Sequence, residues 1–306
     1  MSIQNFTALS PIYQEIAAIV SRYAAAAEDP GATPLIDGLH LGCASHPSKH
    51  HTAIWPCMAM VVQGSKSVTL GDEVYEYTPG SYLVVSLDLP VTSKVVRAST
   101  DIPYLGVGMA IKGERLAELF SRVHIPRSAM VASDRDRGVA VHPVEPPLLD
   151  AMLRMVRLLD HPDDIPAMAP LIEQEILYRL LKGPYGPRLV RIAEADTPSN
   201  KIAKAVTWLR DHFDQPLRID ALAVYAGMSV SSLHHHFSAV TAMTPLQYQK
   251  RLRLNEARRL LLVEHLDVGA AGYRVGYQSP SQFSREYARH YGLPPARDVN
   301  QIREPA

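Results

Sequence analysis

Two short segments near the carboxyl end carry polar side chains of the types that bind nucleic-acid phosphates and base edges. Arginine can donate two hydrogen bonds to one guanine, and glutamine can pair with one adenine, when a helix carries them into a major groove. These residue types indicate DNA binding if both segments form exposed helices. The candidate contacts are Ser229, Ser231, Ser232, His234 and His235 in the first segment, and Ser279, Ser281, Gln282 and Arg285 in the second.

Both segments belong to one pattern that occurs twice, about fifty residues apart. Each copy has a short helical stretch, a glycine-containing turn, a serine, and then two apolar residues four apart: Leu233 and Phe237, or Phe283 and Tyr287. The glycine can adopt the left-handed conformation that ends one helix, and the serine can cap the next. Apolar residues four apart lie on one helix face and pack on the core. The pattern predicts two helix-turn-helix units, which can reach successive major grooves ~34 Å apart.

This repeated pattern resembles the DNA-binding domain of the AraC/XylS family of bacterial transcription regulators. The resemblance covers about residues 200 to 300 and rests on 222–229, Leu233, Phe237, 253–261, 276–277, 283–285, Tyr287 and 292–295. It implies a regulator, more often an activator, that binds double-stranded DNA and has RNA polymerase as a partner.

The second unit departs from the family at one place. Ala271 and Gly272 stand where the family usually has Ile-Ala. Glycine inside a helix costs ~1 kcal/mol relative to alanine, so we expect the second unit to be the looser one.

Basic residues also follow the helix that joins the two units. Lys250 and Arg251 are candidate phosphate contacts. Arg258 and Arg259 could hold phosphates or only be solvated, and Arg253 could pack within the domain or contact DNA.

The composition is that of an ordinary globular protein long enough for two domains. The 306 residues carry 31 basic and 31 acidic side chains, but from Asp196 onward 14 Lys and Arg stand against 10 Asp and Glu. A basic carboxyl half suits a DNA-binding module. No apolar run reaches the ~18 residues of a membrane span, and the first residues lack the features of a signal peptide. We therefore expect a cytoplasmic protein with no membrane partner.

The amino-terminal half is predicted to form a helix over 11–27 and then short strands from Leu35 to about Ile111. The segments 54–66, 79–83 and 87–91 are similar to the amino-terminal domain of one AraC-family branch, which implies a cupin-like barrel. The predicted fold class is α+β, a cupin-like β-barrel with a helical hairpin followed by an all-α tandem helix-turn-helix domain. The predicted boundaries are 1–190 for the regulatory domain, 191–200 for a linker and 201–306 for the DNA-binding domain.

The predicted hairpin has helices over 145–160 and 166–182, separated by residues 161–164. The apolar stripe of its second helix could pack on the barrel or pair with the same helix of a second subunit, which would make a homodimer through residues 145–182.

A small-molecule effector is the expected partner of the first domain. The residues that could line its pocket, or equally fill a core, are Cys43, His46, Trp55, Cys57, Met58, Met60, Tyr82 and Tyr104. A cysteine sensor of oxidants or electrophiles is a further hypothesis, since positive charge near a thiol lowers its pKa.

Metal chemistry is not expected. His40, His46, His50 and His51 lack the His-x-His pair with a following Glu that cupin enzymes use, and successive histidines 234–236 do not share a helix face. No cofactor is predicted. The alternatives are a cupin-type metalloenzyme with an attached DNA-binding domain, or a dimeric regulator that senses nothing.

Overall fold

The computed structural model describes residues 10–27, 35–123, 137–193 and 197–303. An antiparallel β-sandwich with packed helices is followed by an all-helical region, so the predicted α+β class is confirmed. The first nine residues and the part of the predicted linker at 194–196 lie outside the described ranges.

The elements follow one another along the chain in this order: α1 (Pro11–Ala27), β1 (Leu39–Ala44), β2 (Ser48–Ile54), β3 (Cys57–Gln63), β4 (Ser65–Leu70), β5 (Glu73–Tyr77), β6 (Ser81–Val85), β7 (Leu89–Arg97), β8 (Tyr104–Ala110), α2 (Gly113–Arg122), β9 (Val139–Pro143), α3 (Pro146–Arg157), α4 (Ile165–Lys182), α5 (Gly186–Ala193), α6 (Pro198–Asp211), α7 (Ile219–Tyr225), α8 (Val230–Thr241), α9 (Pro245–Leu262), α10 (Val268–Arg274), α11 (Pro280–Tyr291) and α12 (Pro295–Arg303).

The strands form two antiparallel sheets, the cupin-like arrangement that the sequence predicted, although within the described residues the sheets do not close into a barrel. One sheet has the order β1-β8-β3-β6-β9 and the other β2-β7-β4-β5. Edge strands β5 and β9 lie near each other without a ladder between them in the described structure. Glu73, Val74 and Glu76 of β5 are exposed; this strand pairs with β4 on one side, and its other edge has no ladder within the described structure. The cupin-like region is therefore an open sandwich of jelly-roll type.

Three hydrophobic clusters hold the described elements together. The first lies between the outer face of the five-stranded sheet and α1, α3 and α4, with Ile16, Met58 and Ile176 at its centre. The second fills the space between the sheets and continues into α6, α8 and α9 through Phe237 and Tyr248. The third is separate and surrounds α10 and α11. The sandwich therefore shares its inner core with the first helix-turn-helix.

Several elements differ from their prediction. Strand β9 and helix α5 were not predicted, and α6 begins at Pro198, where Thr197 caps it, inside the linker predicted over 191–200. The expected break after α4 is present, but Tyr185, Leu189 and Val190 are buried, and this burial folds the following residues into α5. Within the described ranges, no helix has both the length and the apolarity that crossing a membrane requires.

Candidate nucleic-acid interface

The first helix-turn-helix unit consists of α7 and α8. Gly227 between them has φ +64°, and Ser229 caps α8 by accepting a hydrogen bond from the Ser232 amide at 3.2 Å. Leu233 and Phe237 are fully buried, so α8 is fixed by its apolar face. Its opposite face carries the predicted contact residues; Ser231, His234 and His235 are exposed and Ser232 is partly so.

The second unit consists of α10 and α11 and repeats this geometry. Asp267 caps α10, and Ser279 caps α11 by accepting from the Gln282 amide at 3.4 Å. Phe283 and Tyr287 are fully buried, and the aromatic rings of the two residues lie 5.6 Å apart. Ser281, Gln282 and Arg285 are exposed on the other face. The predicted residues thus lie together on two capped helices.

Helix α9 joins the two units, and its amino-terminal end is well capped. Thr244 and Gln247 form a reciprocal capping box at its start. Arg253 on α9 donates to the carbonyls of Phe213 at 2.6 Å, Gln215 at 2.9 Å and Gly276 at 3.1 Å. Its guanidinium thereby ties the loop before the first unit to the turn of the second. Of the two roles left open for Arg253, the structure favours packing.

Gly276 is required where Arg253 binds. It has φ +91°, and a Cβ atom there would lie 2.0 Å from the Asp214 carbonyl oxygen. Any side chain would push the second unit away from the loop that Arg253 holds.

The remaining basic residues of α9 have different surroundings. Lys250 pairs with Glu286 of α11 at 3.1 Å, and Gln282 donates to the same carboxylate at 3.3 Å. Burial lowers the pKa of Arg251, which lies close enough to Asp72, at the turn between β4 and β5, to feel its charge. Both residues remain candidate phosphate contacts, although Lys250 already has an anionic partner and Arg251 lies on the sandwich side of α9.

Arg258 holds the second unit together from inside. It donates to both carboxylate oxygens of Asp298 at 2.8 and 3.1 Å, and Tyr287 donates to Asp298 at 2.7 Å. Arg259 pairs with Glu256 and Glu264 at the surface. Arg258 is therefore engaged in packing within the second unit and is a weaker candidate for binding phosphate.

A contact that the sequence did not reveal connects the sandwich to α8. Arg137, just before β9, donates to the carbonyls of Ser238 at 2.9 Å and Ala239 at 2.8 Å, and pairs with Glu73 of β5 at 2.7 Å. The next amide, that of Gly138, donates to the Val240 carbonyl at 2.9 Å. These partners are about a hundred residues away in sequence, and no periodic pattern surrounds Arg137, so no local signal pointed to it.

A second contact joins the sandwich to α6 and α9. Arg210 pairs with Asp88 at 2.8 Å, and the Tyr248 hydroxyl donates to the Asp88 carbonyl. Burial raises the pKa of the Asp88 carboxyl, and the charge of Arg210 lowers it in part.

The structure does not gather the eight predicted pocket residues around one cavity. Met58, Met60 and Tyr82 are buried in the cluster below α1, α3 and α4, while Cys57 and Tyr104 are buried between the sheets. The remaining three are Cys43, which is half-buried, His46, which is exposed, and Trp55, which is 51% exposed.

The thiol of Cys57 is poorly suited to sensing. Burial raises its pKa to about 12, so it stays protonated near neutral pH, whereas reactive cysteines have a lowered pKa. For metals, no group of three His, Cys, Asp or Glu residues is close enough to bind an ion within the described part of the chain.

Comparisons with known protein families match both halves. Residues 35–188 match the family described as "AraC-type transcriptional regulator N-terminus", and residues 222–301 match a "Helix-turn-helix domain" family.

Among curated proteins, the transcriptional activator RhaS of Escherichia coli K12 is 32% identical over 109 residues. The match covers 36% of this chain and only 39% of that relative. RhaS of Salmonella paratyphi A is 30% identical over 158 residues, which cover 51% of this chain and 56% of the relative.

Solved structures share the overall fold at low sequence identity. An apo variant of ToxT from Vibrio cholerae superposes with a TM-score of 0.56 at 10% identity, covering 86% of this chain and 97% of that one. Wild-type ToxT with a bound unsaturated fatty acid gives a TM-score of 0.55, also at 10% identity, covering 88% and 97%. The first family match spans just over half of the chain, and on that ground this protein belongs to the AraC-type transcriptional regulators.

Proposed function

We propose that this protein binds a specific asymmetric site on double-stranded DNA through α8 and α11 and regulates transcription there. The observation that carries the proposal is the pair of capped helices, each with its apolar face buried and its polar face exposed, joined by α9. Two such helices can occupy successive major grooves. The proposed division of labour follows the predicted boundaries, with regulation in residues 1–190 and DNA binding in 201–306.

The relatives support an activator. RhaS is named a transcriptional activator and is 32% identical over 109 residues, and residues 222–301 of this chain separately match a helix-turn-helix family. An activator must recruit or stimulate RNA polymerase, which makes the polymerase the proposed protein partner. Control by a small molecule is proposed for the sandwich, because a ToxT structure of similar fold holds a fatty acid. The metalloenzyme alternative has no comparable support among the matched names.

The test is recovery of genomic DNA fragments by the purified protein at about 50 mM and about 200 mM salt. We expect a few fragments with one shared motif to persist at higher salt. Arg285→Ala should relax one part of the motif, because losing a bidentate contact to guanine costs ~1 to 3 kcal/mol of discrimination. Arg97→Ala is the matched control, since it removes the same charge from the exposed end of β7 in the sandwich. Binding without a motif, or equal loss in both variants, would contradict the proposal.

A homodimer is proposed through the helical hairpin. Helix α4 buries one face against α3, α5 and α2, yet Met168 is 42% and Leu171 is 60% exposed on its other side. Light scattering should report a dimer at micromolar concentration, and Leu171→Glu should convert it to monomer. A monomeric wild type would remove the dimer from the proposal.

A further inference from the structure

A cleft opens where the two sheets fail to close. It is lined by residues 74–76 of β5, residues 139–142 of β9, Arg137, and residues 184, 185 and 188 at and before the start of α5. Its volume is about 560 Å³, which lies in the range of small-molecule sites. We call it the β5–β9 cleft; it contains none of the eight residues that the sequence suggested for a pocket.

The polar groups of the β5–β9 cleft are mostly cationic or donors. Arg188 is 4% exposed and its guanidinium is permanently charged. His142 has a buried Nε2 atom that makes no hydrogen bond within the described residues. Burial lowers the pKa of His142, so its imidazole is neutral near neutral pH and can donate one N–H. The cleft also contains one carboxylate, Glu76, which is exposed at its rim.

The tyrosines of the cleft contribute ring surface rather than free hydroxyls. The Tyr185 hydroxyl already bonds to Ser86 and to the Arg137 carbonyl, both at 3.1 Å. The Tyr75 hydroxyl donates to Glu73. Together with the valines of β5 and β9, these rings form apolar walls. A fully polar anion such as phosphate would leave those walls unused.

We propose that the β5–β9 cleft binds a small organic carboxylate, with Arg188 and His142 contacting the carboxylate group and the apolar body lying against Tyr75 and Tyr185. The assignment deepens the proposed function and rests on it for the role of the ligand as an effector. Arg188 and His142 form one anion subsite, and the walls beside it are apolar. The expected ligand therefore carries a single negative charge on an apolar body.

Arg137 gives the bound carboxylate a route to the DNA-binding region. The same side chain lines the cleft and donates to the Ser238 and Ala239 carbonyls of α8. An anion in the cleft competes with Glu73 and α8 for this guanidinium. Ligand and DNA affinities are then coupled, and each must change the other by the same factor.

The experiment is calorimetric titration of the full chain with 3-phenylpropionate, octanoate and acetate, each beside its matched alcohol, up to about 10 mM. At least one carboxylate with an apolar body should bind about tenfold or more tightly than its alcohol, because charge-assisted hydrogen bonds are the strong ones. Equal binding of acid and alcohol, or no binding by any of the three acids, would overturn the proposal.

Three variants locate the site. His142→Phe keeps the ring between Tyr82 and Tyr185 but removes the Nε2 donor, so acid binding should weaken about tenfold while alcohol binding stays unchanged. Val74 is 65% exposed at the cleft, so Val74→Glu adds an anion without disturbing the core, and Val74→Gln is its neutral control. The charged variant should bind acids about threefold more weakly than the control. Identical acid binding by wild type and all three variants would place the ligand elsewhere and overturn the proposal.

The two proposals fail separately. Genomic fragment recovery without any carboxylate tests DNA binding alone, and calorimetry without DNA tests the cleft alone. If the acid binds but does not alter DNA affinity, the site stands and its effector role fails.

Discussion

The two helix-turn-helix units have the same local architecture and different neighbours. The first unit packs Phe237 into a cluster that also fills the sandwich, and Arg137 binds the carboxyl end of its second helix. The second unit has a cluster of its own, with Phe283 at its centre and Arg258 and Asp298 beside it. One motif can thus be either part of a regulatory domain's core or a self-contained body. We infer that signals from the sandwich reach the first unit directly and the second through α9 and through the loop after α6, where Phe213 packs on both clusters.

The largest expected effect comes from removing the central ring of each unit. Phe237→Ala and Phe283→Ala should each cost ~3 to 5 kcal/mol of local stability, because both rings are fully buried. Phe237→Ala should also accelerate amide hydrogen exchange in β7, whereas Phe283→Ala should accelerate it only in α10 to α12. Exchange in β7 that rises equally in both variants would show that the units are not energetically distinct.

A smaller contrast is expected between two aspartates. Asp298 is 6% exposed and accepts from Arg258 and Tyr287, so Asp298→Ala leaves the Arg258 guanidinium, only 18% exposed, without its carboxylate and should cost about 3 kcal/mol. The corresponding sandwich contact, Asp88 with Arg210, involves an arginine that is 48% exposed, and Asp88→Ala should cost about 1 kcal/mol or less. Urea unfolding followed by circular dichroism would compare the two. If Asp88→Ala lowered the free energy of unfolding more than Asp298→Ala, the view that the second unit has a self-contained core would be wrong.

The residue inside the first helix of each unit is glycine in one unit and alanine in the other, and we expect replacing either by the other to destabilise the protein. A Cβ on Gly272 would lie 2.9 Å from Cδ1 of Phe283, so Gly272→Ala should destabilise by about 1 to 2 kcal/mol despite the better helix propensity of alanine. Ala223 at the equivalent place in the first unit is buried, and Ala223→Gly should cost about 1 kcal/mol. Thermal unfolding would measure both. If Gly272→Ala stabilised the protein, the helix propensity of alanine would outweigh the close contact with Phe283, as the expectation of a looser second unit assumes.

The smallest effect concerns pH and the link between β5 and α8. Hydrogen bonds from Arg137 hold the pKa of the Glu73 carboxyl below its usual range. The stabilising contribution is therefore present above the usual glutamate pKa of ~4.3 and is lost as pH falls through the lowered value. Because the Glu73 side chain is 45% exposed, less than about 1 kcal/mol is expected. After correction for the intrinsic pH dependence of amide exchange, protection at the end of α8 should fall in acid for wild type and change less in Glu73→Gln; equal changes in the two proteins would exclude the link.

The helix-turn-helix units could be predicted because their information is local. Ser229 and Ser279 lie next to the turns that they follow, and apolar residues four apart define each buried face. The strands joined by short turns could be predicted for the same reason, since the turn residues lie next to the strands in sequence. The contact of Arg137 with α8 was not, since it depends on chain segments that only the tertiary fold brings together.

The predicted pocket illustrates a different limit. Cys57 and Met58 are neighbours in β3, and neighbouring residues of a strand point to opposite sides of a sheet. They could not line one cavity, and the structure places them in separate clusters. Alternation along β3 could have separated these two residues, but it could not have identified the edge where β5 and β9 leave a cleft.

The shared inner core has a consequence for synthesis of the chain. The sandwich is complete once α5 has left the ribosome, but Phe237 and Tyr248, which cover part of its inner core, are translated roughly 45 to 55 residues after Ala193. At about 5 to 20 residues per second, that surface stays uncovered for roughly 2 to 11 s. Nascent chains that end between α5 and α9 should therefore depend most on chaperones. A ribosome stalled in this interval should present the intermediate that is most prone to aggregation.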